Sequence, residues 1–227
     1  GHGTLSVVRY APYYLPERAL DAGVALVPDA NAHGAFLELL DQGWTQPRLG
    51  LHALRTASFA DFYGTPADPS TLFADATTAA LVEETYTDYC FGDFAPGLET
   101  VGDPADMFAP SVLDATTLPE SFECQLRENS LPTTSLVRLD DTPILMNAAQ
   151  LDELIPVASV RQAAQSLCDD GQRIEYVQCA DLGHTDGAVA FLSQALVFIR
   201  ARLAGEPWDT DRICSIGTAV DCLAAAE

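Results

Sequence analysis

Lysine is absent from this chain: all 11 basic residues are Arg, set against 33 Asp and Glu, for a formal net charge of −22. So acidic a surface repels phosphate backbones and anionic headgroups, which argues against nucleic acid and against polybasic-type membrane contacts as partners. The acids are scattered rather than gathered into a tail, so they read as a solvated surface. Also missing is any run near the roughly 18 apolar residues that a membrane-spanning helix requires. The first residues lack the charged-then-apolar pattern of a signal peptide, and a soluble chain without integral membrane association is expected. The cysteines, at positions 90, 124, 168, 179, 214 and 222, include no C-x-x-C pair and no histidine interleaved at metal-ligand spacing, which argues against zinc. Internal repeats and low-complexity linkers are absent too.

What is present suffices for a core: 227 residues, 48% of them hydrophobic, can form one large domain or two small ones. An even cysteine count in an acidic chain suits an exported protein with disulfides, whose connectivity stays open. Cys214 and Cys222 lie close enough in sequence to close a local loop. Cys168 and Cys179 stand at opposite ends of a helix-to-strand passage and are expected to be too far apart to bond. Preference falls on Cys90 with Cys124.

The periodicity divides the chain into four parts. Residues 1–30 hold a helix, LSVVRYAPYYL, with Pro12 awkwardly inside it, and a short buried strand, AGVALVP at 22–28. Residues 31–140 carry helical patches such as AFLELLDQ, LHALRTASFADF and TTAALVEETYTDY, broken by Pro and Gly clusters and without strand rhythm. This stretch is expected to be an inserted helical cap. Residues 141–205 alternate regularly: strand TPILMNA (142–148), helix 156–171, strand QRIEYVQCA (172–180) and helix 187–205. That order is the signature of a parallel sheet, so the fold class is α/β. Residues 206–227 show no period and are expected to be a tail packed on the surface.

In a parallel sheet, functional groups gather beyond the carboxyl ends of the strands. Two such loops here carry suitable side chains: NAAQLDELIP, with Asp152 and Glu153, and CADLGHTDG, with His184. An Asp after one strand and a His after the next is a spacing at which a carboxylate can hold an imidazole in one tautomer as a general base. His184 and Asp152 are the candidate catalytic residues, with Glu153 and Asp29 as fallback acids. His33 reads as a helix-start residue beside a pocket and His52 as a satisfied buried histidine. The aromatic groups read as packing, and Trp44 and Trp208 take no functional assignment.

Residues 141–205 resemble the C-terminal end of an α/β-hydrolase, most of all the secreted lipase and esterase branch with a helical cap. The residues that carry the resemblance are TPIL, the acid of QLDELIP where that branch has A-D-x-x-V-P, and the strand leading to GH at Gly183 and His184. RENSLPTTSL resembles the linker out of the cap. The resemblance implies a secreted or extracytoplasmic serine hydrolase cleaving carboxylic esters of lipid-like or small acyl substrates, with neither metal nor organic cofactor. It also implies a nucleophile in a G-x-S-x-G turn before a helix. The chain opens instead on GHGTLS, and two residues inserted between His2 and Gly3 would restore the turn. As written, no residue takes the nucleophile position. Ser6, one turn into the helix, is expected to be held away from it. Residues omitted at the elbow, a fragment whose first half lies elsewhere, or a scar at Gly1 and His2 would each account for this. In every case the N-terminal strands of the hydrolase sheet are expected to lie outside these residues and to complete the domain. A catalytically inactive, hydrolase-like binding module and an acyltransferase using the same triad are the alternatives.

Overall fold

A computed structural model describes residues 1–63, 71–89, 97–98, 101–139 and 141–223. They separate into two compact units: a sheet unit, Gly1–Ala35 with Arg127–Glu227, and a helical unit, Phe36–Leu126, inserted between them in sequence.

The sheet unit contains three parallel strands in the order β1 (Gly23–Leu26), β2 (Ile144–Ala149), β3 (Ile174–Cys179). Gly23 pairs with Ile144 and Leu26 with Asn147; Ile144 pairs in turn with Ile174 and Ala149 with Cys179. All six residues of β2 are buried, as expected for a central parallel strand covered on both faces. Side-chain alternation assigns the covering helices. α1 (His2–Tyr14) and α7 (Val157–Asp169) lie on the face of Gly23, Ile144, Tyr176 and Gln178, where Val8 approaches Gly23 and Arg161 bonds Gln178. On the opposite face, Leu145, Val24, Leu26 and Cys179 form a cluster with Phe191, Ala195 and Phe198. Those last three bring in α9 (Leu192–Leu203), which follows the short α8 (His184–Ala190).

Two local expectations change, and a third, a helix with Pro12 inside it, holds. The last helix starts at His184, earlier than Gly187, and breaks into α8 and α9 at Phe191. Pro12 stays inside α1 because it falls in the final turn, where its missing N–H forfeits a single bond. The C-terminal residues do more than pack on a surface. Thr210–Arg212 form a 3₁₀ turn, Ile213 and Val220 bridge to Glu175 and Cys179, and the segment runs along the outer edge of β3.

Disulfides anchor that segment. Cys168 bonds Cys214, with Cα atoms 5.7 Å apart, and Cys179 bonds Cys222, at 5.3 Å. Cys214 and Cys222 therefore do not close a loop on each other, because each lies opposite a different element of the sheet unit. Of the favoured Cys90–Cys124 pair, Cys90 lies outside the described residues; Cys124 is exposed on α6 (Glu120–Glu128).

The helical unit holds most of α2 (Ala32–Gln42), then α3 (Gln46–Tyr63), α4 (Ala76–Asp88), α5 (Pro104–Met107) and most of α6. Its centre is aromatic: Phe36 meets Trp44, His52, Phe108 and Phe122 edge-on at 5.4–6.4 Å, and Phe73 stacks on Phe108. His52 is buried there, its Nδ1 3.1 Å from Arg55. Burial and the neighbouring Arg48 cation push its pKa down to about 3, so it is a neutral packing residue at ordinary pH. No helix among the described residues is long and apolar enough to cross a membrane.

Candidate active site

The carboxyl ends of β2 and β3 are stitched together by main-chain bonds. Gln150 N–H donates to Cys179 O and Leu151 N–H to Leu182 O, both at 2.9 Å. The Gln150 side chain adds a third tie by accepting from Asp181 N at 3.2 Å, beside the left-handed turn at Asp181 (φ 54°). The loop that carries the acid and the loop that carries the histidine thus behave as one rigid ledge.

Asp152 is 5% exposed. Its Oδ1 accepts from Leu154 N at 2.8 Å and Ile155 N at 2.7 Å, which fixes the loop and the rotamer. Its Oδ2 faces His184 Nδ1 at 2.9 Å. An ionised carboxylate only accepts, so Nδ1 carries the proton and Nε2 is left with its lone pair. The Asp152 bond raises the His184 pKa; partial burial opposes it, and the charges of Asp152 and Glu153 reinforce it.

α8 is pressed against the sheet. A Cβ on Gly187 would fall 2.6 Å from Ala149 Cβ, so only glycine permits this approach. Buried Asn147 ties three elements together: its Nδ2 donates to Gly187 O at 3.0 Å, and its Oδ1 accepts from Val27 N at 3.0 Å. Val27, just after β1, has φ 38°, a strained value for a β-branched residue. Sequence reasoning passed over Asn147, although a lone polar residue inside the apolar run TPILMNA was the available signal.

The remaining candidates lie elsewhere. The Asp29 carbonyl oxygen lies 2.6 Å from His2 Nδ1, and Ser6 Oγ lies 3.3 Å from His2 Nε2. Neither of these contacts involves His184. Glu153 reaches the backbone of His184, accepting its N–H at 2.9 Å, rather than the ring. His33 lies in the first turn of α2 and donates its N–H to Ser130 Oγ at 2.7 Å. Among the described residues, no group of three or more His, Cys, Asp or Glu could hold a metal ion.

Residues 64–210 match the family model for secretory lipases. The chain belongs to the secretory lipase family. Its curated relatives include the secreted triacylglycerol lipase LIP7 of Malassezia globosa, 32% identical over 73 residues, which are 31% of this chain and 16% of that protein. Another is lipase 10 of Candida albicans, 29% identical over 89 residues, which are 39% of this chain and 19% of that protein. These matches span less than a fifth of either relative. The fold matches Candida antarctica lipase A in its closed state with a TM-score of 0.70 at 15% identity, covering 97% of this chain and 49% of that one. It matches the rice cell wall degrading esterase LipA from Xanthomonas oryzae with a TM-score of 0.62 at 18% identity, covering 91% and 56%. At such identities the likeness is one of fold: the three parallel strands and their helices are the C-terminal portion of an α/β-hydrolase.

Proposed function

We propose that this secretory lipase family chain carries the acid and the base of a secreted carboxylic ester hydrolase acting on lipid-like acyl esters, with His184 as general base and Asp152 as its partner. The observation that carries this is the 2.9 Å bond from His184 Nδ1 to the buried Asp152, between loops leaving adjacent parallel strands. With Nδ1–H donated to Asp152, Nε2 takes the proton of an attacking hydroxyl, and the carboxylate stabilises the imidazolium that forms. The same Nε2 then returns the proton to the departing alkoxide. Water repeats the sequence on the acyl-enzyme to release the acid.

The nucleophile is a serine supplied by a segment that precedes Gly1. α1 is continuous from His2 through Gly3, so an insertion between those two residues would interrupt its first turn. The turn into the helix lies on the Gly1 side, where a Cβ would meet Leu26 O at 2.2 Å, a close approach that requires glycine. Ser6 lies inside the helix and bonds His2, which argues against its use. The same preceding segment supplies the strands that complete the sheet beside β1.

Fluorophosphonate treatment of the protein together with its preceding sequence, followed by peptide mapping, tests this reading. One adduct is expected, on a serine within a few residues before Gly1, and His184→Ala should abolish it. Failure to label the wild-type protein would instead favour an inactive, hydrolase-like binding module.

A further inference from the structure

We propose that Glu153 is a positioning residue for His184, holding the base by its backbone while Asp152 holds it by its ring. This rests on the hydrolase reading above and adds a group to it.

Three observations converge on Glu153. His184 is the first residue of α8, and its N–H is one of the orphan donors of a helix start. The N-cap residue, Gly183, makes no side-chain cap bond. The carboxylate comes instead from the neighbouring loop, Glu153 Oε2 accepting from His184 N at 2.9 Å. Gly183 makes room for it, since a Cβ there would sit 2.9 Å from the same Oε2. The absence of a side chain at 183 and the reach of the side chain at 153 are complementary parts of one contact.

The two adjacent carboxylates divide their tasks through the turn between them. Asp152 points inward, one oxygen committed to Leu154 N and Ile155 N. Glu153 is exposed, and its longer side chain crosses to the other loop. A negative charge at a helix start also complements the helix dipole. The charged groups around the imidazole are Asp152 and Glu153 from the β2 loop and Asp186 in the first turn of α8 itself. Glu153 therefore has two separable effects: its oxygen fixes where α8 begins, and its charge favours the imidazolium.

Glu153→Gln separates them, because the amide oxygen still accepts the His184 N–H while the charge is gone. Glu153→Ala removes both. The measurements are an NMR titration of the His184 imidazole, hydrogen exchange at the His184 amide, and the pH profiles of kcat and KM, all on the protein with its preceding sequence. In both variants the imidazole pKa is expected to fall, because the Glu153 charge that favours the imidazolium is gone. The His184 amide should exchange at the wild-type rate in Glu153→Gln and about tenfold faster in Glu153→Ala. kcat should fall several-fold in Glu153→Ala with KM unchanged, and Glu153→Gln should recover most of it.

An unchanged imidazole pKa and an unchanged amide exchange rate in Glu153→Ala would overturn the inference even if the wild-type enzyme cleaves esters normally. If the wild type neither labels with fluorophosphonate nor cleaves esters while both variants still shift His184 as described, the hydrolase reading fails and the tether stands.

Discussion

The two oxygens of Asp152 divide their contacts unequally: Oδ1 takes two backbone amides and lies 3.1 Å from His184 Nδ1, and Oδ2 makes the closer approach to that nitrogen at 2.9 Å. Asp152→Asn tests that division. An asparagine that keeps its oxygen on Leu154 N and Ile155 N presents its NH₂ to His184, so Nδ1 must accept and the ring proton moves to Nε2. The base is then lost although the side chain keeps its shape, and kcat should fall by about 10³–10⁴. The pH dependence follows from the raised His184 pKa. In the wild type, activity should rise as pH climbs through that raised value, because the base works only when neutral. The ion pair stabilises the fold fully below the unfolded imidazole pKa, about 6.5, and that contribution is lost as pH rises through the raised folded value. Urea midpoints across this window should decline with pH in the wild type and stay flatter in Asp152→Asn. At this scale the pairing of Asp152 with His184 was legible in the sequence, because loops after parallel strands are where such groups gather. It could not show Glu153 as a tether, because that contact ends on a backbone amide and leaves no mark on residue type.

Among the elements, α8 decides where the imidazole sits, and two residues hold α8 down. Gly187→Ala would force a methyl to within 2.6 Å of Ala149 Cβ, well inside the roughly 3.5–4.0 Å at which carbons pack. The helix must lift, at a cost of about 1–3 kcal/mol in stability. A shift of about 1 Å in His184 should lower kcat by about 10²-fold under conditions where the variant is still folded, while the urea midpoint falls in step with the lost stability. Asn147→Ala works from the other side, leaving Gly187 O without its side-chain donor and Val27 N with only the Asn147 main-chain oxygen at 3.1 Å. A loss of about 1–3 kcal/mol is expected. The strands and α7 were legible because β-branched and apolar runs alternate cleanly with a helical period. The start of α8 was not, because it depends on Glu153 and Gly187, which act across loops and across the sheet. The break at Phe191 depends on that ring's complete burial in the cluster of Leu145, Ala195 and Phe198.

At the scale of the whole molecule, the segment after α9 is what the sequence concealed most thoroughly. It has no period because it meets the sheet only at isolated bridges, and six cysteines do not declare their partners. Its attachments are nonetheless many. Trp208 packs edge-on against Phe198 at 5.6 Å and donates to Glu175 Oε2 at 3.1 Å, Arg212 pairs with the buried Glu175, and both disulfides end in it. The segment shields the outer edge of β3, an edge that would otherwise offer unpaired backbone groups to other chains. The bridges join residues 46 and 43 positions apart, and closing a loop of that size restricts the unfolded chain by up to about 4 kcal/mol for one bridge. The two loops overlap in sequence, so their contributions should not add fully. Removing Cys168 and Cys214 together, or Cys179 and Cys222 together, should each cost about 2–4 kcal/mol by urea denaturation, and removing all four should cost less than the sum. Cys179 ends the strand that precedes the histidine loop, so loss of its bridge should also reduce kcat, whereas loss of the Cys168 bridge on α7 should leave kcat near wild type. Equal kcat in the two paired variants would mean that the segment braces the fold without bracing the site.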